Sequence, residues 1–512
     1  MNVEKETLTL EKLICRISEY KQQKPDNSAR SIGTTFETSN KLYFFDTGTG
    51  KVLEMDRGMQ KFLFALLFKD SSVSDLKQIA KDNELDIDSI IKYIDEEDLL
   101  KGTEGTQLYD DYYLDKAKSE IGSKCQQLIL ELTGACNLRC RYCIYSAEEK
   151  SFREFNSESI SEEIICKSID YLRDHGESTV YISFYGGEPL VRFDLMKYAI
   201  EYARAQITDK KVFFGFTTNL TLMTEEIASY LVNVPNLNMI CSIDGPEEIH
   251  DSSRVYVNGG GTYKDAMRGY NILKNAIDNA ENCNMNVNFN AVYMVPYDKS
   301  KLYKIDDNFK ELCQITPHST YNITYPTNGT IPKELEEYEV NDSSMWEWIK
   351  SMAIESEDLA TLKNKGVIDA LSTVHQRLLT KQASLRMPMN GCCIPGSRRL
   401  YVDTKGDLYV CERINKSPKI GNILTGFDLE TIFTKYFIEY SERSIKHCAN
   451  CWAAKMCPFC YASRMDLDGI AKNAHAFCEY FKEHLKEQFS LYYEILDKDP
   501  KKLEILNDIV SA

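Results

Sequence analysis

Leu128-Ile129-Leu130-Glu131-Leu132-Thr133 runs almost directly into Cys136-Asn137-Leu138-Arg139-Cys140-Arg141-Tyr142-Cys143, an apolar stretch that empties into three thiols spaced C-x3-C-x2-C. The first part reads as a buried strand and the second as the loop leaving its carboxyl end. Soft thiolates converging from so short a loop suit an iron–sulfur cluster. In a [4Fe–4S] cubane, three cysteines leave one iron open to something other than protein. Taken alone, the triplet also fits a structural zinc loop or core thiols.

Downstream, strands are expected near 126–132, 178–184, 211–217, 236–243, 284–295 and 320–325, with helices near 157–174, 193–207, 222–233, 262–279 and 299–314. This alternation argues for a parallel sheet with helices outside, open or partly closed as a barrel. In such a fold the loops at the carboxyl ends of the strands share one face, and that face carries the chemistry. The second strand reaches Gly186-Gly187-Glu188-Pro189, whose glycines let backbone approach a ligand closely. The third ends in Thr217-Thr218-Asn219 and the fourth in Ser242-Ile243-Asp244-Gly245-Pro246. Arg254 can fork onto a carboxylate, while Asp244 either pairs locally with Arg254 or acts on substrate.

The cysteine loop, with Tyr142 before its last thiol, resembles the signature of the radical S-adenosylmethionine (SAM) superfamily. The resemblance implies a six-stranded partial barrel, (β/α)6 and TIM-like, in which the open iron chelates SAM and reductive cleavage yields a 5′-deoxyadenosyl radical. It also implies that the Gly-Gly-Glu-Pro element holds the SAM amino group. Tyr142, Gly186, Gly187, Glu188, Pro189, Thr218, Asn219, Ser242 and Arg254 are thus expected at the cofactor, and Cys136, Cys140, Cys143 and Asp244 in catalysis. Ser242 to Pro246 followed by Arg254 and Gly261-Thr262-Tyr263 resembles the peptide-modifying branch.

Cysteines return from Cys392-Cys393. Cys393 and Cys411 form C-x12-G-x4-C, then Cys448-x2-Cys451-x5-Cys457-x2-Cys460 follows, with Cys478 beyond. These thiols are too many for one site. The region resembles the SPASM auxiliary-cluster domain, departing from it in having two rather than three residues between the last pair of the run. The resemblance implies an outer [4Fe–4S] cluster on Cys448, Cys451, Cys457 and Cys478. An inner one would sit on Cys393, Cys411 and Cys460, with at most Cys392 as a fourth thiol, giving three clusters in the chain. An open inner iron would bind a substrate cysteine as thiolate and accept an electron as its sulfur joins a carbon radical. A ribbon-type zinc domain is the competing reading of the C-x2-C pairs.

Ahead of the barrel, a helix over 7–22 and a polar linker over 24–40 precede a hairpin, 41–46 and 51–55, and helices near 57–68, 73–83 and 86–99. Ser74 and Asp86 are the expected caps of the last two. The shape is winged-helix-like, but residues 51–110 hold eight Lys/Arg against fourteen Asp/Glu, which disfavours DNA. The segment resembles the peptide-recognition domain of maturases of ribosomally made peptides, which implies that a leader peptide adds to the sheet edge. A cap that only shields the barrel is the alternative.

At 512 residues and 43% hydrophobic, the chain can bury sizeable cores, and its formal charge of −17 argues against nucleic acid or an anionic membrane. No apolar run approaches the ~20 residues of a membrane span, and no signal peptide is seen, so a cytoplasmic location is expected. The remaining cysteines, Cys15, Cys125, Cys166, Cys241, Cys283 and Cys313, read as small buried hydrophobes. Helices near 343–355 and 366–385 should set Trp346 and Trp348 against the barrel, and a helix over 479–498 should pack on the cluster region.

The reading is thus α/β: a recognition domain over 1–118, a radical SAM partial barrel over 119–330, a helical connector over 331–391, a SPASM domain over 392–480 and a helical tail over 481–512. The expected activity is thioether formation in a cysteine-rich precursor peptide, with a flavodoxin- or ferredoxin-type reductant. Carbon–carbon cross-linking, epimerisation, sulfatase-maturation-type serine or cysteine oxidation, or a non-catalytic iron–sulfur carrier are the alternatives.

Overall fold

The computed structural model describes residues 8–147, 153–327, 329–338, 343–414 and 416–509. Its amino-terminal sheet is antiparallel, with β1 (Gly33–Glu37), β2 (Leu42–Asp46) and β3 (Val52–Met55) in that order. β1 lies inside the stretch expected to be a linker. Its one large apolar residue, Phe36, stacks on Tyr43 at 5.2 Å and on Phe489 at 5.1 Å, so the strand is fixed by packing that its own sequence does not advertise. Both faces of β2 are buried, because helices Leu10–Gln22, Arg57–Phe68, Val73–Asp82 and Ile87–Glu96 cover Phe44 while the helix Cys478–Lys498 covers Tyr43 and Phe45. The tail helix therefore packs on this sheet as well as on the cysteine region. Ser72, not Ser74, caps Val73–Asp82, in a reciprocal box with Asp75, and Asp86 caps the next helix as expected.

The main sheet has ten strands. β4 (Cys125–Thr133), β5 (Gly176–Gly186), β6 (Lys211–Thr218), β7 (Leu237–Ser242), β8 (Asn286–Val292) and β9 (Tyr321–Thr324) are parallel and adjacent in chain order. β10 (Arg399–Val402) pairs parallel with β4 on the other side, and the short strands β11 (Asp407–Tyr409), β12 (Gly421–Asn422) and β13 (Gly426–Phe427) continue it antiparallel. β9 and β13 are the two ends of the order, so the sheet stays open. One sheet thus crosses the boundary drawn between barrel and cysteine region.

The strands alternate. Leu128, Leu130, Leu132, Ile182, Met239 and Phe289 enter one core with the outer helices, whereas the opposite face carries Glu131, Ser183, Thr217, Ser242, Asn288 and Asn290. That face also carries Ile129, Ile240 and the stacked pair Tyr181 and Phe213, so it is mixed in character with its polar groups toward the carboxyl ends of the strands. The helix Glu162–His175 begins later than expected because the preceding chain pairs with the end of β4, through Ile160 N–H to Leu132 O and a bridge between Ser159 and Thr133. The helix expected over 366–385 stops at His375. Beyond it the chain bonds to the hairpin turn, Thr380 N–H to Thr49 O and Ser384 N–H to Gly48 O, and passes so near Gly50 that a Cβ there would lie 2.0 Å from Leu378 O. Trp348 enters the barrel core, but Trp346 instead meets His484 of the tail helix edge-on. Cys15 is exposed, its thiol donating to Glu19, so it is not a core residue. Among the described residues, no helix is long and apolar enough to cross a membrane.

Candidate active site

The loop after β4 is held on three sides. Gly187 N–H donates to Thr133 O and Glu188 N–H to Ala135 O, tying it to the β5 loop. Asn137, Asn219 and Thr221 close a triangle of side-chain hydrogen bonds of 2.7–3.0 Å to the β6 loop. Arg139 and Arg141 N–H groups donate to Val255 and Ser253 carbonyls. Gly186 and Gly187 are required by this clasp: a Cβ would stand 2.1 Å from Thr133 O at the first, which has φ of +130°, and 2.2 Å from Ala135 O at the second.

Cys136, Cys140 and Cys143 line one cavity of about 240 Å3 with Tyr142, Gly186, Gly187, Glu188, Pro189, Thr218, Asn219, Ser242 and Arg254. Every residue expected at the cofactor therefore faces the same space, joined there by Thr217, Tyr185, Asn290 and Val292. Among the described residues, no three His, Cys, Asp or Glu side chains stand close enough to hold one metal ion between them. The three thiols instead surround a wider space, a donor set that suits a multi-iron cluster. Burial pushes the Cys136 and Cys140 thiols up to about 12.

Asp244 lies outside the cavity wall and is 1% exposed. Its Oδ2 accepts from Tyr142 OH at 2.6 Å and sits 3.0 Å from Arg254 Nε, and its Oδ1 accepts from Val292 N–H. Of the two roles open to it, local pairing is the one its contacts supply, and it orients Tyr142 and Arg254. The Arg254 guanidinium reaches to 3.9 Å from Cys140 Sγ. Sequence reasoning missed His250. Its Nδ1 accepts from Asp244 N–H, which places the proton on Nε2, facing Thr262 Oγ1, and that hydroxyl donates to Arg254 O. Burial and then Arg254 lower its pKa to about 4, so the imidazole is neutral. Glu188 accepts from Leu190 N–H, Thr218 Oγ1 and Asn219 N–H, and burial raises its carboxyl to about 6.

Tyr145 links the thiol cavity to a second one of about 260 Å3, lined also by Glu131, Arg153, Tyr401 and Tyr409 between β4, β10 and β11. Arg153 donates to Tyr401 OH at 2.7 Å and to Ile414 O. Tyr185, on the thiol cavity, lies within electrostatic range of both Cys143 and Glu412. Glu412 follows Cys411, and its Oε2 is buried with no hydrogen-bond partner among the described residues. A carboxylate hidden in one sequence position beside a cysteine gave no signal of its own.

The later thiols fall into two groups. Cys448, Cys451, Cys457 and Cys478 interact with one another, and Cys411 and Cys393 each interact with Cys460. Cys392 stands beside Cys460, Cys393 and Tyr440, and burial raises its pKa.

Residues 130–298 match the Radical SAM superfamily and form a radical SAM domain, which implies a [4Fe–4S] cluster and SAM. The serine-type anaerobic sulfatase-maturating enzyme of Bacteroides thetaiotaomicron is 32% identical over 153 residues, 29% of this chain and 36% of that protein. The cysteine-type enzyme of Clostridium novyi is 26% identical over 385 residues, 71% of this chain and 95% of that protein. The chain spans half or less of the length of the first relatives it matches. The solved structure described as native anSMEcpe with bound AdoMet is similar in fold, with a TM-score of 0.54 and 18% identity over 75% of this chain and 100% of its own.

Proposed function

We propose that this chain is a radical SAM maturase that installs intramolecular thioether links in a ribosomally made, cysteine-rich precursor peptide. The observation that carries the reading is Tyr185, standing on the thiol cavity within range of both Cys143 and Glu412, whose Oε2 has no hydrogen-bond partner among the described residues while its Oε1 lies 3.7 Å from Arg413 Nε. A peptide carbon and a peptide thiol can share the polar space between them.

In this reading Cys136, Cys140 and Cys143 hold the SAM-binding cluster, and outer and inner auxiliary clusters sit on the two later thiol groups. Arg254 forks onto the SAM carboxylate, Glu188 faces its amino group, and Ser242, Thr218 and Asn219 bond the ribose and methionyl chain. When loaded, the site supplies a 5′-deoxyadenosyl radical, which takes a hydrogen atom from a peptide carbon. Glu412 takes the thiol proton, the sulfur–carbon bond forms, and one electron leaves past Tyr185 toward Cys393, Cys411 and Cys460. Each link costs the peptide two hydrogens. The leader peptide lies along β3, an end strand of its sheet, with apolar side chains in a cavity of about 380 Å3 lined by Leu53, Met55, Ile90, Tyr93 and Ile94. A flavodoxin- or ferredoxin-type protein supplies the reducing electron.

Co-expression with a precursor peptide and mass spectrometry test this. Loss of two hydrogens per bridged cysteine with resistance to thiol alkylation is expected, and unmodified free thiols refute it. The alignment over 95% of a cysteine-type sulfatase-maturating enzyme favours a second reading, oxidation of a single serine or cysteine. That product would carry no sulfur–carbon bridge.

A further inference from the structure

Arg464 is 1% exposed, yet among the described residues no carboxylate pairs with it. Its Nη2 stands 3.8 Å from Cys457 Sγ and 3.9 Å from Cys478 Sγ. Its Nη1 donates to Tyr440 OH at 3.2 Å and lies 3.3 Å from His475 Nε2, while Nε has no hydrogen-bond partner. The guanidinium also lies over the rings of Phe459 and Tyr440, at 5.6 and 5.9 Å. His475 cannot supply negative charge. The groups that favour the charged guanidinium are Tyr440 and the thiols of Cys448, Cys457 and Cys478.

A buried cation without an anion is costly, because desolvation removes its hydration and nothing replaces it. Of the groups that favour the charged guanidinium, the thiols of the outer group are the ones that become firmly anionic at neutral pH, and they do so when they bind iron. On the other side, Arg464 reaches the inner group through Tyr440, which packs against Cys392, and it acts on Cys460 directly. The inner group instead has an acid and a base paired beside it, Glu412 next to Cys411 and, 3.7 Å from that carboxylate, Arg413, which acts on Cys460. The two groups therefore sit in different fields.

We propose that Arg464 is the fixed countercharge of the outer cysteine group and raises the reduction potential of a cluster held there above that of the inner one, so that the electron released on product formation moves outward. The inference rests on the reading that Cys448, Cys451, Cys457 and Cys478 hold an iron–sulfur cluster. A cation within contact distance of the ligand sulfurs stabilises the reduced, more negative state, because the Coulomb attraction grows with cluster charge. Arg464 is a positioning residue in this account and touches no substrate.

The test is an electron-paramagnetic-resonance redox titration of the reconstituted full chain, with iron counted in each preparation. Cys457→Ala and Cys478→Ala come first: if neither lowers the iron content or removes a spectral component, the outer-cluster reading itself fails. With that established, Arg464→Met is compared with Arg464→Lys. The methionine variant is expected to make the outer cluster at least tenfold harder to reduce, about 59 mV for one electron, or to lose that cluster alone. The lysine variant, which keeps the charge, should retain the cluster and lie nearer the parent potential. Parent-like potential and iron in both variants, or equal losses in both, would overturn the proposal.

Discussion

Gly187→Ala tests whether the cysteine loop and the SAM-facing loop are one rigid unit. A Cβ at this position would lie 2.2 Å from Ala135 O, 2.5 Å from Ala135 C and 2.9 Å from Cys136 N, all backbone atoms. Ordinary contact begins near 3.4 Å, so the β5 loop must retreat by about 1.2 Å from the loop that carries the thiols. The movement pulls on two hydrogen bonds, Gly187 N–H to Thr133 O at 2.9 Å and Glu188 N–H to Ala135 O at 3.0 Å. Overpacking of this kind costs roughly 1–3 kcal/mol, and each weakened hydrogen bond adds up to about 1 kcal/mol. For chemistry the displacement matters more, since a misplacement of about 1 Å at a reacting centre can cost ~10²-fold in rate. The assay is 5′-deoxyadenosine formation on reduction, with SAM affinity by calorimetry and iron content in parallel. Gly260→Ala is the control, because its Cβ first meets the movable Asn258 side chain at 3.2 Å. An alanine protein that keeps full iron, parent SAM affinity and the parent rate would refute the idea that these glycines set the spacing.

His250, held neutral with a pKa lowered to about 4, binds fewer protons in the folded chain than in the unfolded one. Stability should therefore fall as pH drops from about 6.5 toward 4, by up to roughly 3 kcal/mol from this residue, and His250→Gln should flatten that part of a denaturation profile. An unchanged slope would count against the buried neutral tautomer. Ile90→Asp places a charge in the groove beside β3 and should weaken binding of the precursor's leader at least ~10-fold in a titration; unchanged affinity would remove the leader from that groove. Glu412→Gln should lower product formed per 5′-deoxyadenosine by about 10²-fold, within the usual span of general-base effects. Equal coupling in variant and parent would take the proton-acceptor role away from Glu412.

The parts legible in the sequence were those whose chemistry is contiguous. Thr217-Thr218-Asn219 and Ser242 to Asp244 each stand at a strand end that its own periodicity marks, so placing the strands placed the loops on one face. The parts that stayed hidden depend on partners far away in the chain. Arg153 and Tyr401 meet across 248 positions, and Glu131 sits alone in an apolar run whose alternation only the sheet reveals. β1 was invisible because Phe36 earns its place through Tyr43 and Phe489. The glycines are close-approach positions, and the neighbour they admit on the Cβ side is the backbone of Thr133 and Ala135, which a tetrapeptide alone cannot reveal.

That last distinction bears on how the site works. A loop with three thiols could be held in place by its iron, but this one is fastened to the β5, β6 and Ser253–Val255 segments by hydrogen bonds that involve no thiol donor. Cys140 is buried and Cys136 and Cys143 are partly so, and burial favours their protonated thiols, so iron has to displace protons without having to build the loop. The same segments carry Glu188, Asn219 and Arg254, with Asp244 and His250 fixing that arginine from behind. The thiol loop and the residues proposed to hold SAM are thereby joined in one network, and a change in spacing at either is expected to be felt at the other. The thiol cavity is joined to the second cavity, between β4, β10 and β11, in the same manner, through Tyr145, which lines both.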